Sequence, residues 1–306
     1  MIYTVTMNPS VDFISRLEEV RAGRSNYSKE DDMFAGGRAL NVSRILKTLD
    51  VPTTATGFVG GHTGAFIEEA LDQEGILHDF IHTQNSTRLN LSLFVNHIET
   101  RILGRGADVS LEEVNQLMYY LSRVREGDFL VIAGSLPPNL SSEVYQRMVE
   151  ISVVNGASFL PAIRAEDLAP LIEKKPLLIT PTLEDLQVLS GTDVKTKEEA
   201  AAAGVELVER GAKNVIVNME REGSLFINEA KDVFEANGPQ AAILSQTYTN
   251  MSLIAGFIGH YMRTSDPQES FRAAQAAANA AYYVEALPTR EQVYAEFENV
   301  HILPYA

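Results

Sequence analysis

Phe129-Leu130-Val131-Ile132-Ala133-Gly134-Ser135-Leu136-Pro137-Pro138 decides how this chain folds. Five apolar residues in succession, without the alternation of a half-exposed strand, mark a strand buried on both faces. Gly134-Ser135 ends it, and the two prolines stiffen the loop that follows. Strands of that kind belong to parallel sheets covered by helices on both sides. The rest of the chain does alternate between strand-like and helix-like segments. Ile2–Met7, Ala157–Leu160, Leu177–Ile179 and Asn214–Val217 read as further strands. Helical spacing marks Ala39–Leu49, Thr63–Glu74, Leu111–Val124, Ser142–Val154, Leu183–Leu189, Glu198–Arg210, Ser252–Met262 and the alanine-rich Glu269–Val284. Two stretches break the pattern. Asp12–Phe34, and Leu89 to about Arg105, read as short extended pieces, with Leu89–Asn96 the clearest strand. They predict a small β lid (about 12–34 and 89–105) inserted within a single α/β domain over residues 1–306.

A chain of 306 residues can bury a sizeable core, and a hydrophobic content of 45% is ordinary for a soluble protein. The net charge of −16 argues against nucleic acid or an anionic membrane as partner. It leaves room for a small anion, which a few local arginines and helix N-termini can hold. With no cysteine there are no disulfides and no thiolate zinc sites. The six histidines show no metal-ligand spacing. No apolar run approaches the roughly 18 residues of a membrane span, and the first residues lack the basic-then-apolar pattern of a signal peptide. A soluble, cytoplasmic protein is the expectation.

Several short motifs carry chemistry. Ala35-Gly36-Gly37-Arg38-Ala39-Leu40-Asn41-Val42-Ser43 puts a glycine pair at a helix N-terminus, where free backbone N–H groups meet a ligand oxygen. An ordinary tight turn would use the same pair. Asn8-Pro9-Ser10-Val11-Asp12 follows the first strand, at the end where parallel sheets bind ligands; a cap or turn role for Asp12 is the plainer alternative. Thr87-Arg88-Leu89-Asn90 offers a cation and an amide on a strand, with surface ion pairing as the alternative.

In this order, Asn8–Asp12, Ala35–Ser43, Thr87–Asn90, Ala133–Pro138 and Leu287-Pro288-Thr289-Arg290-Glu291 resemble the phosphofructokinase-B branch of the ribokinase-like carbohydrate kinases. Within that branch the pattern is most similar to tagatose-6-phosphate kinases and 1-phosphofructokinases, from about Met1 to Val300. The resemblance implies a ribokinase-like, Rossmann-like α/β fold: a mostly parallel sheet with helices on both faces and a small β lid. It also implies a phosphosugar substrate, with ATP and Mg²⁺ as cofactors wherever the family activity persists. On the sugar side it assigns Asp12 to the sugar hydroxyls. Gly36, Gly37 and Asn41 fall on the Gly-Gly-Lys-Gly…Asn stretch, with Arg38 for its lysine and Ala39 for its second glycine. Arg88 and Asn90 match the lid pair, Arg88 on the existing phosphate, and Ser135 completes the substrate-binding set. Tyr27 stands where the family has a further phosphate-holding arginine.

The nucleotide side departs from the pattern. The family's Gly-Ala-Gly-Asp, with its anion-hole amides and catalytic base, falls on Tyr248-Thr249-Asn250-Met251, and no Asp or Glu occurs from Ala236 to Ser265. Lys-Pro-Asn-x-x-Glu becomes Thr180-Pro181-Thr182-Leu183-Glu184-Asp185, leaving Asp185 as the candidate contact to a metal-bound water. Asp-Thr-Ser-Gly becomes Pro161-Ala162-Ile163-Arg164, and Ser-Leu-Gly becomes Asn218-Met219-Glu220, so Asn218 and Glu220 line the nucleotide approach. In the lid, Thr-Glu-Ile-Asn becomes Thr100-Arg101-Ile102-Leu103. Two readings follow. One is a phosphosugar-binding protein without efficient phosphoryl transfer; the other is an active kinase that recruits Glu184, Asp185 or Glu220. The exposed lid edge invites pairing with a second copy, which predicts a homodimer.

Overall fold

The computed structural model describes residues 1–96 and 98–305. The first half runs β1 (Ile2–Thr6), β2 (Ser10–Leu17), β3 (Glu30–Gly36), α1 (Arg38–Thr48), β4 (Thr53–Val59), α2 (Gly61–Glu74), β5 (Leu77–His78), β6 (Ile81–His82), β7 (Arg88–Val95), β8 (Ile98–Ile102) and α3 (Leu111–Leu121). Then come β9 (Phe129–Ala133), α4 (Glu143–Val154), β10 (Ser158–Ala162), α5 (Ala165–Leu168), α6 (Leu183–Ser190), α7 (Lys197–Glu209) and β11 (Val215–Asn218). The chain closes with β12 (Ser224–Ile227), β13 (Val233–Ala236), α8 (Thr249–Thr264), α9 (Pro267–Tyr282), α10 (Arg290–Asn299) and β14 (Ile302–Pro304).

The main sheet is parallel throughout, in the order β10-β9-β1-β4-β5, with β6 also paired to β4. Strand β9 sits inside it, Val131 lying between Thr4 and Leu160, which is why its apolar run is continuous. One core layer takes Ile45 of α1, Phe257 of α8 and Phe271 of α9; the other takes Leu117 of α3, Met148 of α4 and Leu207 of α7. The alanines of α9 (Ala274, Ala277, Ala278 and Ala281 among them) are buried, so their small side chains let that helix pack closely against α8. A second, antiparallel sheet follows in the order β11-β12-β13-β14.

Three expectations are corrected. Leu177–Ile179 is not a strand: it contributes a single bridge, Ile179 to Val215, and a hydrogen bond from Leu177 N–H to the Phe159 carbonyl. Pro176 and Pro181 flank it and remove the donors a longer ladder needs. The segment nonetheless bridges β10 and β11. Helix α8 begins at Thr249 rather than Ser252, so the Tyr248–Met251 stretch lies at its N-terminus instead of in a preceding turn. Helix α3 ends at Leu121, short of Val124.

Strands β2, β3, β7 and β8 form a separate four-stranded sheet, in the order β3-β2-β7-β8, with β2 and β7 parallel and the other pairs antiparallel. This is the small lid. Its register sorts the side chains by face. Asp12 lies opposite Phe34 and Asn90, while Ser92 lies opposite Ile14 and Arg101. One face therefore carries Asp12, Arg88, Asn90 and Arg101. The other carries a row of Met33, Phe13, Leu91 and Ile102.

Candidate functional site

Chain order reverses at β1: the next main-sheet strand, β4, lies on one side of it, and the later β9 lies on the other. Open parallel sheets bind ligands in the crevice at the carboxyl ends of such a pair. The loops after β1 and β9 are tied together there. Asn8 Nδ2 donates to the Leu136 carbonyl at 3.1 Å and reaches Ser135 Oγ at 3.5 Å. The Tyr145 hydroxyl holds the Gly134 carbonyl at 2.9 Å, and burial pushes that phenol well above its ordinary pKa.

The residues that the resemblance assigns to the sugar gather at this crevice and on the face of the small sheet beside it. Asp12 Oδ1 accepts from Ser10 Oγ at 2.8 Å and from Asn90 Nδ2 at 2.7 Å; Asn90 Oδ1 in turn accepts from Gly104 N–H at 3.1 Å. Gly36 lies so close that a Cβ there would collide with the Asp12 carboxylate. Gly37, at φ 142° and with a hypothetical Cβ 2.8 Å from Thr6 Cγ2, caps α1 in a conformation L side chains rarely adopt. Arg38 opens α1, exposed beside Gly134, and Asn41 follows one turn in, half-buried. Arg88 threads between lid and body, donating to the carbonyls of Asn8 (3.1 Å), Pro9 (3.4 Å) and Gly104 (3.5 Å). Burial lowers its pKa; Asp12 pulls it back up, and the charge of Arg101 lowers it further.

Of the residues that the resemblance assigns to the nucleotide, Tyr248–Met251 lie at the start of α8 and Asp185 in the first turn of α6. The Tyr248 ring is half-buried and packs on the core layer that holds Met251. Burial raises its phenol pKa, and the charges of Arg44, Asp12 and Arg101 act on it. Thr249 is buried. Asn250 Nδ2 goes to the Thr180 carbonyl at 3.4 Å, leaving the acceptor Oδ1 without a partner among the described residues. Met251 is buried, 9% exposed. Asp185 closes the capping box of α6: its Oδ2 accepts from Thr182 N–H at 2.9 Å and from Thr182 Oγ1 at 2.8 Å. Asn218 Oδ1 accepts from Glu220 N–H at 2.9 Å and from the Tyr282 hydroxyl at 3.3 Å. Glu220 accepts from Gln246 Nε2 at 3.3 Å.

The family model for the pfkB family carbohydrate kinases matches residues 5–285. The chain belongs to that family. A 1-phosphofructokinase from Bacillus subtilis is 37% identical over 96% of this chain and 96% of its own length. A D-tagatose-1-phosphate kinase from Bacillus licheniformis is 29% identical over 94% of each. In fold, the chain superposes on phosphofructokinase-2 from Escherichia coli in complex with fructose-6-phosphate with a TM-score of 0.91, at 23% identity, over 97% of this chain and 98% of that one.

At the positions that the resemblance gives to the nucleotide, the side chains depart from the family pattern. The start of α8 carries the Tyr248 ring and the Asn250 acceptor oxygen, and no side chain caps its first turn. A Mg²⁺ ion wants free carboxylate oxygens. Asp185 gives Oδ2 to its cap, and Glu220 gives one oxygen to Gln246. Sequence reasoning missed Ser10 and Asn8 as supports of the sugar side, although both lie in the stretch it singled out. It also missed that Arg101 shares the Asp12 face, because only the β7–β8 register fixes that.

Proposed function

We propose that this family member binds a phosphosugar at the Asp12–Asn90–Arg88 side of the crevice without efficiently transferring a phosphoryl group to it. The supporting observation is Met251: where the resemblance puts the catalytic base, a buried thioether packs in the core at the first turn of α8. A thioether accepts no proton from a sugar hydroxyl, and Asn250 beside it is no base near neutral pH. The sugar side keeps Asp12, Asn41, Arg88 and Asn90, while Tyr27 replaces one phosphate-holding arginine. Asp12 is held by two hydrogen bonds, with Oδ2 turned to Gly36, so it is preorganised to accept from hydroxyls. Among substrates, the names of the relatives favour a ketohexose monophosphate.

Calorimetric titration with fructose 1-phosphate, tagatose 6-phosphate and fructose 6-phosphate tests this. At least one is expected to bind at sub-millimolar concentration. Asp12→Asn, which keeps the shape and removes the charge, is expected to weaken it by about 10- to 100-fold, the worth of one charge-assisted hydrogen bond. Silence from the whole panel at millimolar concentration sinks the reading.

A homodimer through the lid accompanies this proposal. The face opposite Asp12 exposes Met33 (44%) and Ile102 (56%), with Ile98 (70%) at the end of the same face. Rows of apolar side chains left in water on an open-edged sheet favour pairing with a second copy. Sedimentation equilibrium at micromolar protein is expected to return twice the chain mass, and Ile98→Lys with Ile102→Lys to return the single-chain mass. A monomeric wild type excludes the dimer.

A further inference from the structure

Beneath the start of α8 lies a layer of buried polar side chains. Antiparallel pairing sets Asn218, Ser224 and Ala236 abreast on one face of the second sheet, with Phe226 and Phe234 abreast in the next row of that face. This face meets α8 and α9, since Phe226 stacks on Phe271 and lies against Phe257. Helix α9 answers the polar row with one of its own. Gln275, Asn279 and Tyr282 follow Phe271 at helical spacing, and all three are buried.

Hydrogen bonds close this layer around Ser224. Gln275 Nε2 donates to Asn279 Oδ1 at 2.8 Å, and Asn279 Nδ2 to the Asn237 carbonyl, next to Ala236, at 3.4 Å. The Tyr282 hydroxyl donates to Asn218 Oδ1 at 3.3 Å. Thr249, the first residue of α8, reaches the same place. Burial raises the Tyr282 pKa, the Asn218 amide draws it down, the Glu220 charge raises it and the Thr249 hydroxyl draws it down.

Three oxygens of the layer have no partner among the described residues: Ser224 Oγ, Thr249 Oγ1 and Gln275 Oε1. Ser224 and Thr249 are 2% exposed and Gln275 1%. Polar atoms buried bare are costly, and apolar groups of the same shape would serve a dry core better. A buried water makes about three hydrogen bonds to such groups. Gln275 Oε1 accepts only, and each hydroxyl can donate or accept, so one water can satisfy all three. The rows also leave it room: Ser224 and Ala236 stand where the next row carries two phenylalanines.

We infer that a buried water sits between β12, α8 and α9, bonded to Ser224, Thr249 and Gln275, and that it holds the first turn of α8. That turn has no side-chain cap, so the water ties it to the core beneath. The inference is independent of which ligand the crevice takes.

The test is a crystal structure of the full chain at a resolution that shows ordered solvent, with denaturant unfolding of Ser224→Ala, Thr249→Val and the double variant. Water density is expected about 2.7–3.2 Å from all three oxygens. Each single variant removes one hydroxyl from the water and is expected to shift the equilibrium toward the unfolded chain by about 2- to 10-fold. The double variant is expected to shift it by less than the product, because both hydroxyls share one water. A full product would mean separate partners and overturn the shared site. In Ser224→Ala, which leaves α8 unchanged, the Ser252 amide, bonded to the Tyr248 carbonyl at 2.9 Å, is expected to exchange faster with deuterium. Unchanged exchange there would overturn the hold on the turn. Direct pairing of the three oxygens with protein groups, with no density between them, would overturn the inference. So would a gain in stability in either single variant, the mark of a hydroxyl buried dry.

Discussion

Incubated with Mg-ATP and a phosphosugar, the protein is expected to release ADP about 10²–10⁴-fold more slowly than an intact carbohydrate kinase. Loss of a positioned base costs about 10²–10⁴ in rate, and loss of one anion-hole donor about 10²–10³. The two do not multiply cleanly. Phosphoryl transfer, however, depends almost wholly on positioning and on stabilising charge, so a replacement would have to come from acids such as Glu184, Asp185 or Glu220. Both departures from the family pattern sit in one turn of α8, at Tyr248, Asn250 and Met251. The triple variant Tyr248→Gly, Asn250→Gly, Met251→Asp restores that turn, and coupled ADP-release assays measure what returns. Only partial recovery is expected, because Pro161, Thr180 and Glu220 also depart from the pattern. Recovery to full family rates would confine the defect to the turn. ADP release by wild type at such rates, dependent on a phosphosugar and abolished by Glu184→Gln or Asp185→Asn, would establish the rearranged kinase instead.

Phe226→Ala is expected to cost about 3–5 kcal/mol of stability, read from the midpoint of chemical denaturation. Phe226 of β12 is fully buried and stacks on Phe271 with ring centroids 5.0 Å apart, with Phe234 at 6.3 Å and Phe257 at 6.4 Å. One side chain thus joins the antiparallel sheet to α8 and α9, so truncation leaves a cavity that two helices and a hairpin border. Tyr27→Ala, at an 85% exposed position, is the control and is expected to stay within about 0.5 kcal/mol of wild type. A loss below about 1 kcal/mol for Phe226→Ala would mean that the cluster repacks freely.

Strand β9 and the lid strand β7 were legible because their side-chain patterns match their burial: one continuous and apolar, the other mixed. Strand β4 was not. Thr53-Thr54-Ala55-Thr56-Gly57 has neither an apolar run nor clean alternation, yet it pairs with β1 inside the main sheet. Its hydroxyls are satisfied internally, Thr53 Oγ1 by Ser43 at 3.0 Å and Thr56 Oγ1 by the Asp79 carbonyl at 2.5 Å, which periodicity cannot foresee. The hairpin of β12 and β13 and the helix α10 also went unread. The strands are four residues each, and α10 buries only Val293 of its own length. At the site, motif order named the residues. What it could not supply was engagement: Asp185 looks free in sequence and is a helix cap in space. The same holds for Arg101, whose face is fixed by a register three strands away from β3.

Calorimetric titration of Mg-ATP into the protein, alone and with saturating fructose 1-phosphate or tagatose 6-phosphate, tests the central claim most directly. The expected result is no ATP binding in any case, with heat from the phosphosugar alone. Micromolar ATP binding that tightens in the presence of the phosphosugar would contradict it, and would mean that the start of α8 still receives a triphosphate.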